Sequence, residues 1–178
     1  MTDNRRLEDT ITYLLERSRL PLTRTALVKL LYFADLRSYE QTGRPVTGIG
    51  WIWHNFGPFS SDIYDVLGDL ESADEVTTEV RRNYHGSPEY RIHLGPAAGY
   101  YQVLNESEQA TIDGVVAEFS GINAQRLAEL SYYTAPMRDP GLHRGAPLNF
   151  SAYRNPATRP RPYLLDLSVP RPQRMTSS

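Results

Sequence analysis

Apolar residues recur at helical spacing near the start of the chain. In residues 5–18, Leu7, Ile11, Leu14 and Leu15 are spaced by four, three and one residues, which is typical of an amphipathic helix with one buried face. Pro21 separates this helix from the next one, because proline disfavours helical continuation.

A second helix is predicted between Thr23, a favourable N-cap, and Gly43, a favourable stop. Its apolar residues cover nearly the whole circumference, so we expect a central, buried helix. Lys29, Leu30, Tyr32 and Phe33 in the middle of this helix are predicted to form a structural motif. The stem of Lys29 is expected to pack while its ammonium reaches the surface; a specific buried ion pair or a partner contact is the alternative.

Alternation of Ile49, Trp51 and Trp53 with smaller or polar residues predicts a strand with one bulky face. Residues 55–59 contain Gly57-Pro58 and are therefore expected to form a tight turn.

A third helix should follow, capped by Ser60 or Ser61. Its apolar positions are Ile63, Val66, Leu67 and Leu70, and the opposite side carries an acidic stripe of Asp62, Asp65 and Asp69. Such a stripe is either a solvated face or part of a partner surface.

The second half of the chain predicts a hairpin over residues 76–94 and two further helices, capped by Asn105 and Asn123. The predicted fold class is α+β: a mainly helical single domain of about five helices with a small antiparallel sheet. We expect that sheet to combine the strand near Trp51 with the hairpin.

Charge is distributed unevenly along the chain. Residues 1–135 hold 12 basic and 19 acidic residues, whereas residues 136–178 hold 7 basic and 2 acidic residues and 8 of the 13 prolines. This predicts a folded domain over 1–138 and an extended Pro/Arg-rich extension over 139–178, lying against the acidic body or reaching a partner. Nucleic acid is not an expected partner of so acidic a body.

Composition excludes several kinds of chemistry. There is no cysteine, hence no disulfide or thiolate site, and the single lysine, Lys29, has no glycine-rich loop around it. The four histidines lack the spacing of a helical metal motif. We therefore expect no metal, no cofactor and no enzymatic activity. Without a long apolar run or a signal peptide, the expected protein is cytoplasmic and not associated with a membrane. The sequence indicates no oligomeric state.

Several motifs of this chain, taken in order, resemble the Panacea domain, also described as the SocA-like antitoxin or phage-associated protein family. They are the run 23–35, Gly43-Arg44-Pro45, the segment 51–59, Ile63-Tyr64, the helix 108–119 and the Leu-Ser segment 127–131. The chain departs from the family after that segment: it has Tyr132-Tyr133-Thr134 without the usual histidine, and Met137 where tryptophan is common.

The resemblance implies a binding module that neutralises a cognate toxin protein, with some members delivering the toxin to a protease. An acidic body would associate readily with a basic toxin surface. The predicted partner-binding residues are Trp53, Asn55, Phe56, Gly57, Pro58, Phe59, Asp62, Tyr64 and Asp65. Core packing is the alternative for the aromatic residues, including Trp51.

Two other functions stay open at this point. Helices two and three with the hairpin could form a winged-helix-like DNA-binding regulator, using Arg81, Arg82 and Arg91. A nucleotide-directed hydrolase or transferase using His54, Asp62 and Asp65 is the third hypothesis, although the sequence offers no nucleophile or phosphate loop.

Overall fold

The computed structural model describes residues 4–99, 102–139 and 141–151. In this part of the chain five α-helices accompany a three-stranded antiparallel sheet. In chain order the elements are α1 (Arg5–Ser18), β1 (Leu22–Thr23), α2 (Arg24–Thr42), α3 (Ser61–Ser72), β2 (Val76–Arg82), β3 (Pro88–Leu94), α4 (Glu106–Phe119), α5 (Ala124–Ser131) and a 3₁₀ turn, Ala135–Arg138. The predicted α+β class is confirmed.

Helix α2 is the centre of the structure, as its apolar circumference predicts. The Thr23 side chain accepts a hydrogen bond from the Ala26 N–H at 3.1 Å, and Gly43 ends the helix at φ 76°. Helix α2 packs against α1, α4 and α5. Phe33 stacks on Phe119 of α4, with ring centroids 4.3 Å apart. A helix enclosed on several sides fixes the position of every residue that projects from it.

The sheet has the strand order β1-β3-β2 and differs from the sequence prediction in its third strand. Leu22 of β1 lies opposite Ile92 of β3, which is buried and also faces Thr78 of β2. The predicted strand near Trp51 is therefore wrong: Ile52 forms only isolated bridges, to Phe59 and Pro147.

The alternation around Trp51 has a different cause. The Trp51 indole is buried edge-on to Tyr32 and donates a 2.9 Å hydrogen bond to Asp35 Oδ2. Thr47 donates to the same carboxylate through its N–H, at 2.8 Å, and through its hydroxyl. Burial raises the pKa of Asp35 although these donors oppose the rise. The anchor on Asp35 of α2 and the isolated backbone bridges of Ile52 thus hold the 47–53 segment outside the three-stranded sheet.

Residues 141–151 pack on this anchored segment. Trp53 N–H donates to Ala146 O at 2.8 Å, and Leu148 N–H donates to Trp51 O at 2.8 Å. The Phe150 ring meets Tyr32 and Tyr39 edge-on. The start of the predicted extension therefore lies against the body, while its expected course over 152–178 falls outside the described residues. The domain division at 138/139 stays a prediction.

Among the helices of the described residues, none combines the length and apolar character needed to cross a membrane.

Candidate partner-binding groove

A groove of about 570 Å³ opens between the N-terminal half of α2, helix α5 and the 54–59 turn. Each wall contributes a different kind of side chain. Residues that line it include Val28, Lys29, His54, Asn55, Phe56, Gly57, Phe59, Tyr64, Ala128, Glu129 and Tyr132. Its volume is that of an ordinary ligand pocket, large enough for one or two side chains of a partner.

The 54–59 turn is closed by its own backbone. Ile52 and Phe59 exchange two backbone hydrogen bonds of 2.9 and 3.0 Å, and Gly57 N–H donates to His54 O at 3.0 Å. Gly57 has φ +100°, in the left-handed region that favours glycine. The predicted tight turn is confirmed.

Two helices then hold the turn in place. The Tyr132 hydroxyl, at the end of α5, donates to Asn55 O at 2.6 Å and accepts from Gly57 N–H at 3.0 Å. From α2, Lys29 Nζ donates to Pro58 O at 2.8 Å. The turn is thus fixed at both of its sides before any partner binds.

Lys29 does not behave as its position in the sequence suggested. The expectation that its ammonium reaches the surface is wrong, because the residue is 3% exposed. The Gly57 turn covers the end of the side chain. Desolvation lowers the pKa of Lys29 to about 8. The alternative of a buried ion pair is not found among the described residues either, because Lys29 donates to a backbone carbonyl and pairs with no carboxylate there. The alternative of a partner contact stays a prediction.

An aromatic series runs along the outside of the groove and consists of His54, Phe56, Phe59 and Tyr64. The ring centroids of His54 lie 6.2 Å from Phe56 and 5.5 Å from Phe59, and Phe59 lies 5.4 Å from Tyr64. Burial and the charges of Arg144 and Lys29 lower the pKa of His54, which favours its neutral form.

The series continues to the hairpin through Arg24 at the start of α2. Its guanidinium lies 5.1 Å from the Tyr64 ring centre and 3.9 Å from that of Tyr90. These cation–π contacts join α2, α3 and β3 into one surface beside the groove.

The sequence left two interpretations of the aromatic residues, core packing and partner binding, and the exposure of each side chain distinguishes them. Trp51 is in the core, and Trp53 is partly buried with its ring edge-on to Tyr132. Phe56, in contrast, is 73% exposed and Tyr64 is 37% exposed. Phe56 and Tyr64 belong to the contiguous aromatic series, and a contiguous exposed apolar patch is a candidate interaction site.

The remaining predicted residues lie in three places. Asn55, Gly57 and Phe59 line the groove, whereas Pro58 is buried and takes part through its carbonyl. Asp65 is exposed and Asp62 half-buried on α3, and neither is among the residues that line the groove. Leu30, Tyr32 and Phe33 belong to the core.

Sequence reasoning missed the α5 wall and Arg24. Tyr132 is 75 residues from Gly57 along the chain, and no local pattern connects such positions. The only sequence signal was that the chain departs from the family pattern at Tyr132.

The model of the SocA-like antitoxin family, Panacea domain, matches residues 27–136, which are 110 of the 178 residues. No curated protein and no solved structure matches the chain significantly. The matched region begins in α2 and includes the 54–59 turn, α3, the hairpin and α5. The chain therefore belongs to the SocA-like antitoxin family defined by the Panacea domain.

Proposed function

We propose that this protein is an antitoxin that neutralises a cognate toxin by binding it directly, with the groove and the 54–59 turn as the contact surface. The observation that carries this proposal is the position of Phe56. Its ring is 73% exposed at the tip of a turn that three backbone and four side-chain hydrogen bonds hold in place.

A fixed turn favours tight binding for a physical reason. Ordering a loop on binding costs conformational entropy, and a turn that is already ordered avoids this cost. Phe56 can then enter a pocket of the partner while apolar side chains of the partner enter the groove. Aromatic anchors of this kind supply most of the affinity of many interfaces.

The exposed face of α3 supports association with a basic toxin surface. Asp65 and Asp69 are exposed, and α3 carries no basic residue. Opposite charges on the toxin would accelerate encounter, and this contribution would weaken as salt concentration rises.

In this proposal the protein acts in the cytoplasm as a binding module without a catalytic step. Delivery of the bound toxin to a protease is a finer form of the same proposal. It predicts that co-expression of this protein shortens the lifetime of the toxin, whereas neutralisation by binding alone leaves that lifetime unchanged or longer.

Co-expression with the protein encoded beside this one tests the proposal. We expect rescue of growth from that protein's toxicity and recovery of a complex of the two purified chains. Absence of both rescue and complex formation rejects the proposal.

A DNA-binding regulator is a second candidate because of the topology. The order α1-β1-α2-α3-β2-β3, with strands arranged β1-β3-β2, is that of a winged-helix-like unit. Two features oppose it. The α2–α3 connection spans residues 43–60, far longer than the usual turn of about three or four residues. Helix α3, which would enter the groove of DNA, is acidic.

The arginines expected to serve this second function are partly engaged. Arg81 and Arg91 each pair with a glutamate on their own strand, Glu79 and Glu89, at 2.8 Å. DNA affinity that falls steeply with salt concentration would support the regulator, and a flat response at micromolar protein would remove it.

A further inference from the structure

The ammonium of Lys29 is a buried cation at the floor of the groove. It is 3% exposed, and its acceptor among residues 4–99, 102–139 and 141–151 is Pro58 O, at 2.8 Å. A lysine ammonium has three N–H donors. The Pro58 carbonyl occupies one of these donors, and Lys29 is among the residues that line the groove.

The groups around Lys29 supply no counter-charge. Among the residues that the structure describes, the cation of each ion pair is an arginine, and Lys29 takes part in none of these pairs. Glu129, the carboxylate on the α5 wall, is already paired with Arg126 at 3.1 Å. The other titratable groups that line the groove are the imidazole of His54 and the phenols of Tyr64 and Tyr132, none of which is a carboxylate.

We propose that the groove receives an Asp or Glu side chain of the partner protein, whose carboxylate pairs with the Lys29 ammonium. This inference rests on the proposed function and names what the partner must present. A buried charge is costly unless it is paired and hydrogen-bonded, and a carboxylate provides both. The apolar lining residues Val28, Phe59 and Ala128 would contact apolar side chains that flank the acidic residue.

A side chain fits better than the carboxylate of a chain terminus. Recognition of a terminal carboxylate commonly uses several backbone N–H groups arranged as a nest. Here the Gly57 N–H, beside Lys29, already donates to His54 O and to the Tyr132 hydroxyl. Lys29 supplies instead a single point charge, which matches one carboxylate oxygen.

Because Lys29 is the only lysine in the sequence, it can be observed without mutation. Protein labelled with ¹³C,¹⁵N-lysine gives one side-chain signal, which is titrated in the full-length protein alone and in complex with the co-encoded protein. A pairing carboxylate should raise the pKa of Lys29 from about 8 toward its ordinary 10.5. A complex that forms with the pKa unchanged or lowered overturns the inference and leaves the proposed function standing.

Affinity provides a second readout. Lys29→Met should weaken binding at pH 7 by about 30-fold or more, because the partner carboxylate would be buried without its cation. For the unmodified protein, affinity should fall about tenfold per pH unit above pH 8, and this dependence should be absent in Lys29→Met. Arg82→Met, which removes an exposed cation at the end of β2, serves as the matched control and should bind normally.

Equal affinity of Lys29→Met and the unmodified protein, with the same pH dependence, overturns the inference. If the unmodified protein forms no complex, both the inference and the proposed function fail. If the complex forms and depends on Lys29, the acidic residue of the partner is located by replacing each exposed Asp and Glu of the partner with its amide. Only the amide variant at the residue that enters the groove should lose the response to Lys29→Met.

Discussion

Gly57 lies against Lys29 so closely that a Cβ on Gly57 would be 2.9 Å from Lys29 Cε and 2.7 Å from Ser131 Oγ. Real Cβ atoms do not approach other atoms at these distances. Together with φ +100°, the contact explains why the turn needs glycine at its closest approach to α2 and α5. The same contact lies over the end of the Lys29 side chain, whose burial lowers its pKa.

Gly57→Ala should destabilise the protein by about 2–4 kcal/mol, from the sum of backbone strain and overpacking. Gly48→Ala is the matched control: Gly48 also has positive φ, +73°, but its Cβ would meet nothing within 4 Å. It should cost only about 1 kcal/mol. Urea unfolding of both variants measures the difference, and equal losses would contradict the steric account of Gly57.

Phe56→Ser should leave stability within about 0.5 kcal/mol of the unmodified value, because the ring is largely exposed. It should nevertheless weaken toxin binding by about 2 kcal/mol, as the loss of an aromatic anchor does. Tyr84→Ser removes a 99% exposed ring from the hairpin connection and should change neither quantity. Calorimetric titration of the three proteins makes the comparison. If the Phe56 variant binds as tightly as the Tyr84 variant, Phe56 is not part of the interface.

Lys29 should make stability depend on pH in the alkaline range. Its pKa is about 8 in the folded protein and 10.5 ordinarily, so between these values the unfolded chain binds more protons. Stability should therefore rise with pH through this window, by up to about 3 kcal/mol. Denaturant unfolding at several pH values measures this rise. Subtracting the Lys29→Met profile removes the tyrosine titrations common to both, and a zero difference would show that Lys29 is not desolvated.

Asp35→Asn should destabilise the protein by about 2–3 kcal/mol. An amide cannot accept from Thr47 N–H, Thr47 hydroxyl and Trp51 indole as a carboxylate does, because its NH₂ group faces one of these donors. Asp65→Asn on the exposed face of α3 is the control and should have little effect. Near-ultraviolet circular dichroism would report a changed Trp51 environment, and an unaltered spectrum with unaltered stability would refute the anchoring role of Asp35.

The prediction of helices succeeded where the signal was local. Thr23 and Gly43 mark the two ends of α2, and Asn105 forms a capping box with Glu108 at the start of α4. Such caps are local because they act through residues three or four positions away. The prediction of a strand near Trp51 was wrong because the contacts that decide its structure are not local. Trp51 is buried by an anchor on Asp35, sixteen residues earlier, and Ile52 forms only isolated bridges; periodicity alone does not distinguish this arrangement from a strand.

By itself, the sequence determined the five helices, the hairpin, the tight turn at Gly57-Pro58 and the resemblance to an antitoxin family. Each of these depends on short-range chemistry or on an ordered set of motifs. Only the tertiary structure decided that Lys29 is buried and that Phe56 is exposed, since both result from where Tyr132 and α5 meet the turn. The groove exists because residues far apart in the chain are packed together, and no local pattern records that contact.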